Sequence, residues 1–405
     1  MKTKLIAAAL VAGTVTAVAG YPVYQGIGAA PAPRTDPAVI LPHVDPSANE
    51  RLKVEVVFVL DTTGSMSGLI QSAKEKIWSI ATTMSQADPA PEIRMGLVAY
   101  RDRGDAYVTR VVDLSEDLDS MYATLMDFRA EGGGDDPESV NQALHDAVND
   151  ISWSQDGNAY QVVFLVGDAP PHMDYQDDVK YPDIVEMAKA KGIAVNTIQC
   201  GRHPATTRHW QQVALLGHGR YFQVDQSGGA VAISTPFDRK LAELSARLDA
   251  TRLYYGSDEG KEVLQRKVAA TEKLHADSSI ESRARRAAFN ASASGRTNRL
   301  GKQELVDDVT SGRVDLSGID RDEFPEPLQA MAPAERTAFI EKNAEAREAL
   351  AGEIQQLVDK RDAYLHDRVE EEGGAEESLD HQLFGAIRAQ AEAKGLRYNG
   401  ESPAY

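Results

Sequence analysis

Apolar residues in this chain switch between two spacings from residue 52 to about residue 250. Val54-Glu55-Val56-Val57-Phe58-Val59-Leu60 is an apolar run broken once, as in a central parallel strand covered on both faces, and it stops at Asp61. After a polar turn, Leu69, Ile70, Ala73, Ile77, Ile80, Ala81 and Met84 recur at helical spacing and predict an amphipathic helix from about Ser67 to Gln86. Strands are predicted at Ile93–Tyr100, Tyr107–Val112, Tyr160–Val166, Ile193–Ile198 and Arg220–Val224. Helices are predicted near Leu118–Arg129, from Pro137 onward, at Tyr181–Lys191, at Thr206–Leu216 and from about Gly229 to Leu248. Strands alternating with helices imply an α/β fold, a doubly wound, mainly parallel sheet flanked by helices. In such sheets ligands sit at the carboxyl ends of the strands.

Beyond about Thr251 the strand signals stop and Ala, Glu, Arg, Lys and Gln dominate, so residues 251–405 read as a separate α-helical C-terminal region. Leu350, Leu357 and Tyr364 recur every seven residues, but the companion seam of Ile340 and Ile354 is interrupted by Arg347 and Arg361. A stripe packed inside the chain fits better than an intermolecular coiled coil, with self-association through these helices as the alternative. An acidic break at Glu370–Glu377 precedes a last helix at Leu379–Lys394 and a polar tail.

At the other end, Met-Lys-Thr-Lys is followed by an uncharged run from Leu5 to Ala19 that closes on Ala17-Val18-Ala19. That run is shorter than the ~20 residues of a membrane span, and its ending suits a signal peptidase. Residues 1–19 therefore read as a signal peptide, and 20–50, which hold six of the 18 prolines, as a Pro-rich linker. Residues 51–250 are the α/β domain. The expected location is exported, periplasmic or secreted, with no integral membrane segment after signal cleavage.

The single cysteine, Cys200, excludes an intrachain disulfide and a cysteine-built metal cluster. A formal charge of −19 from 62 acidic and 43 basic residues argues against nucleic acid as a partner. The usual nucleophile-elbow, P-loop, dinucleotide and zinc-protease signatures do not occur, which weakens an enzymatic reading.

Three strand-to-helix loops carry clustered oxygen donors: Asp61-Thr62-Thr63-Gly64-Ser65-Met66-Ser67, Gly132-Gly133-Gly134-Asp135-Asp136-Pro137-Glu138, and Gly167-Asp168-Ala169-Pro170-Pro171-His172. Alternate side chains leaving a strand share a face, so Asp61, Thr63 and Ser65 offer hard oxygens together, a set suited to Mg²⁺ or a similar divalent ion. Asp61-Thr62-Thr63-Gly64-Ser65 resembles the D-x-S/T-x-S signature of the von Willebrand factor type A (VWA) domain and its metal-ion-dependent adhesion site. The resemblance covers about 200 residues and extends to three loops in order. It implies a VWA fold in which Asp61, Thr63, Ser65 and Asp168 hold Mg²⁺ (or Mn²⁺ or Ca²⁺), Asp61 and Asp168 mostly through water. Where a threonine is usual in the second loop, Asp135 occupies the aligned place, with Asp136 beside it. Three carboxylates against two charges on the ion imply tight metal retention and a neutral or water-bridged partner group instead of a carboxylate.

The expected function is an exported, metal-dependent module that binds a protein or cell-surface ligand and is not an enzyme. Two alternatives are a metal-dependent hydrolase or transferase using His172 or Asp136 near the ion, and an envelope scaffold acting through the helical tail. His172 with Asp174, Asp177 and Asp178 reads as a solvated loop before it reads as a second cation site. Arg103-Gly104-Asp105 reads as a charged loop, and His203 and His209 as capping or surface residues.

Overall fold

The computed structural model describes residues 51–68, 70–155, 157–224, 233–371, 379–400 and 403. Residues 1–50, where a signal peptide and a linker are expected, residues 229–232 and most of the acidic break lie outside the described residues; residues 233–237 are not helical, so the helix expected from Gly229 starts only at Asp238. Eight strands are found among them: β1 (Lys53–Asp61), β2 (Ala87–Asp88), β3 (Glu92–Tyr100), β4 (Thr109–Ser115), β5 (Ala159–Gly167), β6 (Ile193–Cys200), β7 (His218–Val224) and β8 (Arg397–Tyr398). The helices of the α/β part are α1 (Ile70–Ser85), α2 (Leu118–Asp127), α3 (Val140–Asn149), α4 (Tyr181–Ala190), α5 (Pro204–Leu216) and α6 (Asp238–Asp249). The C-terminal helices are α7 (Asp258–Asp277), α8 (Ile280–Ala291), α9 (Arg296–Leu300), α10 (Leu305–Thr310), α11 (Glu326–Gln329), α12 (Pro333–Glu371) and α13 (Leu379–Glu392).

The main sheet runs β4-β3-β1-β5-β6-β7, parallel throughout except for the edge strand β4. The period of two along β1 divides the core. Val54, Val56, Phe58 and Leu60 face the layer containing α1 and α2, and Val57 and Val59 face α3 and α4. The residue that breaks the apolar run, Glu55, is fully buried and satisfied by Arg94 (2.7 Å), the Ser154 amide (2.9 Å) and hydroxyl (2.6 Å), and Gln161 (2.9 Å). Successive connections leave β1 towards β3 and β4 on one side and reach β5, β6 and β7 on the other. The switch in winding opens a crevice at the carboxyl ends of β1 and β5.

Residues 47–405 form one compact unit, so the C-terminal region is not a separate body as its composition suggested. The reason is that the outer faces of α1 and α2 are apolar: Trp78 and Tyr122 lie 5.4 Å apart and Trp78 packs on Phe289 of α8 at 5.9 Å. Leu274, Leu383, Phe384 and Ile387 extend the same cluster. The chain end also departs from the expected polar tail, because Arg397–Tyr398 pair antiparallel with Ala87–Asp88 while Leu396 and Tyr398 are buried. The helix expected from Pro137 begins instead at Val140, since Glu138 forms a bridge with Pro171. On α12, Leu350, Ile354 and Val358 pack against α6 and α8 within the chain. No helix among the described residues is long and apolar enough to cross a membrane.

Candidate metal centre

β1 ends at Asp61, which is fully buried, and a 3-10 turn at Gly64–Gly68 brings Thr63 and Ser65 back over it. Thr63 donates to Asp61 Oδ1 from its amide (2.9 Å) and its hydroxyl (2.6 Å). The Thr63 and Ser65 hydroxyls share a hydrogen bond at 3.1 Å, and Ser65 donates to Asp168 Oδ1 at 2.9 Å. Four of the five expected ligand residues thus form one continuous chain of oxygens across the ends of β1 and β5. Thr62, between them, donates its hydroxyl to the Tyr100 carbonyl (2.9 Å) and stays out of the set. The second oxygen of Asp61, Oδ2, is buried with no hydrogen-bond partner. Burial pushes the Asp61 carboxyl up to about 7, against the hydrogen bonds from Thr63 and with help from the nearby Asp168 charge. Burial likewise raises Asp168.

The second loop does something other than its alignment implied. Asp135, taken as the loop's ligand, lines the same cleft but is 62 % exposed and sets its Oδ2 3.7 Å from His172 Nε2. Asp136 faces His203, at 3.2 Å. The acid that turns inward is Glu138, only 3 % exposed, whose Oε2 has no partner and which, with Thr63, crowds the space a Cβ at Gly133 would take. Burial, followed by the charges of Asp61 and Asp102, pushes Glu138 up to about 9. In sequence Glu138 closes the second donor loop but, following Pro137, reads as a first-turn helix acid and not as a ligand. Its signal is that it is the last acid before the apolar face of α3. The three loops enclose a cleft of about 540 Å³ that also reaches His203 and Cys200, whose thiol is raised by burial.

The profile of the von Willebrand factor A domain family matches residues 55–236. This stretch is a von Willebrand factor A domain. Among curated proteins, an ariadne-like RING finger protein of Acanthamoeba polyphaga mimivirus is 27% identical over 119 residues, 29% of this chain and 11% of that protein. The von Willebrand factor A domain-containing protein 7 of Rattus norvegicus is 37% identical over 91 residues, 22% of this chain and 10% of that protein. The match therefore spans about a tenth of the length of these relatives. Among solved structures, the SpRpn10 VWA domain is similar at 15% identity with a TM-score of 0.34, over 45% of this chain and 95% of that one.

Other polar groups of the VWA domain sort as follows. The loop Arg103-Gly104-Asp105 is anchored, with Arg103 paired to Asp177 and Asp178 and its guanidinium 4.1 Å over the Tyr175 ring, and Asp105 accepting the Gly133 amide at 3.0 Å. His203 caps α5 by accepting from the Thr206 amide, and His209 meets the Tyr181 hydroxyl at 3.1 Å. His172 is not on a solvated loop. It is 3 % exposed, because its backbone is tied to the Glu138 carbonyl (3.0 Å) and its ring stacks on Tyr175 at 3.9 Å.

Proposed function

We propose that this VWA domain is a metal-dependent protein-binding module whose divalent ion, of the Mg²⁺ type, is held by Asp61, Thr63, Ser65 and Asp168. The observation that carries this reading is the unpartnered Oδ2 of a fully buried Asp61, at the head of a chain of three further oxygen donors. A buried carboxylate oxygen left without a donor is costly, and a hard cation among oxygen ligands removes that cost. The ion would fix the geometry of the loops and make the rim of the cleft the contact surface. With Asp61 and Asp168 inside and Asp135 and Asp136 at the rim, carboxylates outnumber the ion's two charges. The partner group is therefore neutral, water-bridged or basic, and a carboxylate is disfavoured. We place the chain outside the cytoplasm, on the strength of the leader-like segment at 1–19.

The test is a melting curve of the whole chain with Mg²⁺, with Mn²⁺ and with chelator, beside Asp61→Ala. A ligand bound only by the folded state adds about 2.7 kcal/mol at a hundredfold excess over its Kd. A metal-dependent rise in Tm that Asp61→Ala abolishes is the expected result. An unshifted wild type sinks the reading.

A further inference from the structure

Next to that centre, on the far side of the second loop, three side chains from three different connections converge: Asp102 after β3, Asp135, and His172 after β5. One ligand atom from each lies within 4.8 Å of the others. A cluster of acids alone would mean little. The second observation is His172, which is 3 % exposed and whose Nε2 is buried without a hydrogen-bond partner. That nitrogen points at Asp102 Oδ2 at 3.4 Å and Asp135 Oδ2 at 3.7 Å. Both separations exceed a hydrogen bond. They are near the ~3.3 Å that separates two ligands of one tetrahedral ion with bonds of 2.0–2.1 Å.

The surroundings are arranged as a ligand set needs. His172 Nδ1 is 2.8 Å from Asp174 Oδ1, the carboxylate-histidine pairing that fixes the tautomer and turns the Nε2 lone pair towards the cluster. Asp102 accepts from the Ser139 hydroxyl at Oδ1 (2.7 Å) and from the Tyr175 hydroxyl at Oδ2 (2.8 Å), which leaves Oδ2 a free lone pair. Asp135, being exposed, provides the route of entry from solvent.

We propose that Asp102, Asp135 and His172 form a second metal site, selective for a first-row transition dication of the zinc class, that staples the β3–β4 connection to the second and third loops of the first centre. The imidazole nitrogen sets its preference apart from that of the all-oxygen centre, since nitrogen suits Zn²⁺ and oxygen alone suits Mg²⁺. Asp174 is a positioning residue. The site stands on residues other than Asp61, Thr63, Ser65 and Asp168, so either can fail without the other.

The experiment is a Zn²⁺ titration by calorimetry on the tag-free full chain, stripped with chelator and then held in saturating Mg²⁺. One Zn²⁺ per chain is expected in the wild type and in Asp61→Ala. His172→Gln and Asp135→Asn should abolish it, and Asp174→Asn should weaken it ~10–100-fold. X-ray absorption at the zinc edge should show a single imidazole nitrogen. Asp135→Asn is an exposed change and keeps the test valid if His172→Gln does not fold. Three results would each overturn the proposal: no zinc uptake by the wild type, uptake unchanged in both His172→Gln and Asp135→Asn, or uptake lost in Asp61→Ala.

Discussion

Gly167 shows how closely the ends of β1 and β5 must approach for the VWA centre to form. A Cβ there would lie 2.4 Å from the Tyr100 hydroxyl, 2.8 Å from the Asp61 Cβ and 2.9 Å from Asp61 Oδ2. Gly167→Ala should therefore cost ~1–3 kcal/mol by overpacking, read as a lower denaturation midpoint. Adding Tyr100→Phe, which removes the nearest atom, should return part of the loss. Equal midpoints for Gly167→Ala and wild type would show that the strand ends are looser than they look. Residues of this kind also mark how far the sequence could be read. Asp61, Thr63, Ser65 and Asp168 were legible because a strand end and a turn place them by local geometry, which a spacing of two encodes. Glu138 was not, since what turns it inward is the bridge between Glu138 and Pro171, a contact between loops distant in the chain. His172 was misread for the same reason: its burial comes from Tyr175 and from the Glu138 carbonyl, and its flanking acids suggested solvent.

Between elements, buried ion pairs join the apolar stripe of α12 and the shared core cluster in fastening the C-terminal helices. Arg286 of α8, 1 % exposed, forks onto both oxygens of Asp119 on α2 at 2.6 Å and reaches Asp249 at the end of α6 at 2.7 Å. Arg361 and Arg347, which interrupted the apolar seam of α12, turn out to be its anchors, to Asp238 at 2.8 Å and to Glu304 at 2.6 Å. Periodicity therefore located the helices but could not say what they pack on, because a buried arginine and a solvated one look alike in sequence. Burial alone would raise Asp119 and Asp249. The charge and hydrogen bonds of Arg286 outweigh it and hold both below the ordinary carboxylate range. A carboxyl depressed in the folded state lends stability above its unfolded value of ~3.9 and loses it as pH falls below that. Asp119→Asn should thus cost about 3–5 kcal/mol at neutral pH, as expected for one partner removed from a buried pair. The gap to wild type should narrow as pH drops below ~4. Denaturant titrations at pH 7 and pH 3 would check this, and a gap of constant size would assign the loss to packing instead of charge.

At the scale of the whole molecule, the domain boundary near residue 250 that the change in composition suggested is crossed by a shared core. The sheet face carrying α1 and α2 is finished only by α7, α8 and α13. Trp78, Tyr122 and Met84, all nearly fully buried, share one core cluster with Leu274, Phe289, Leu383, Phe384 and Ile387. β8 closes the same side by pairing with β2. A chain cut after residue 250 would open that face to water. Aromatic side chains bury ~150–250 Å² each. At ~25 cal/mol per Å², exposing Trp78 and Tyr122 alone costs several kcal/mol. Because a loss of ~3 kcal/mol lowers Tm by about 6–12 °C in a domain of this size, the 51–250 fragment should melt well below the intact chain and should self-associate or bind a hydrophobic dye. Calorimetry and light scattering on the two proteins would decide it. A monomeric fragment melting within ~2 °C of the whole chain would mean that the helices are accessory, and the two proposed metal sites could then be tested on the VWA domain alone.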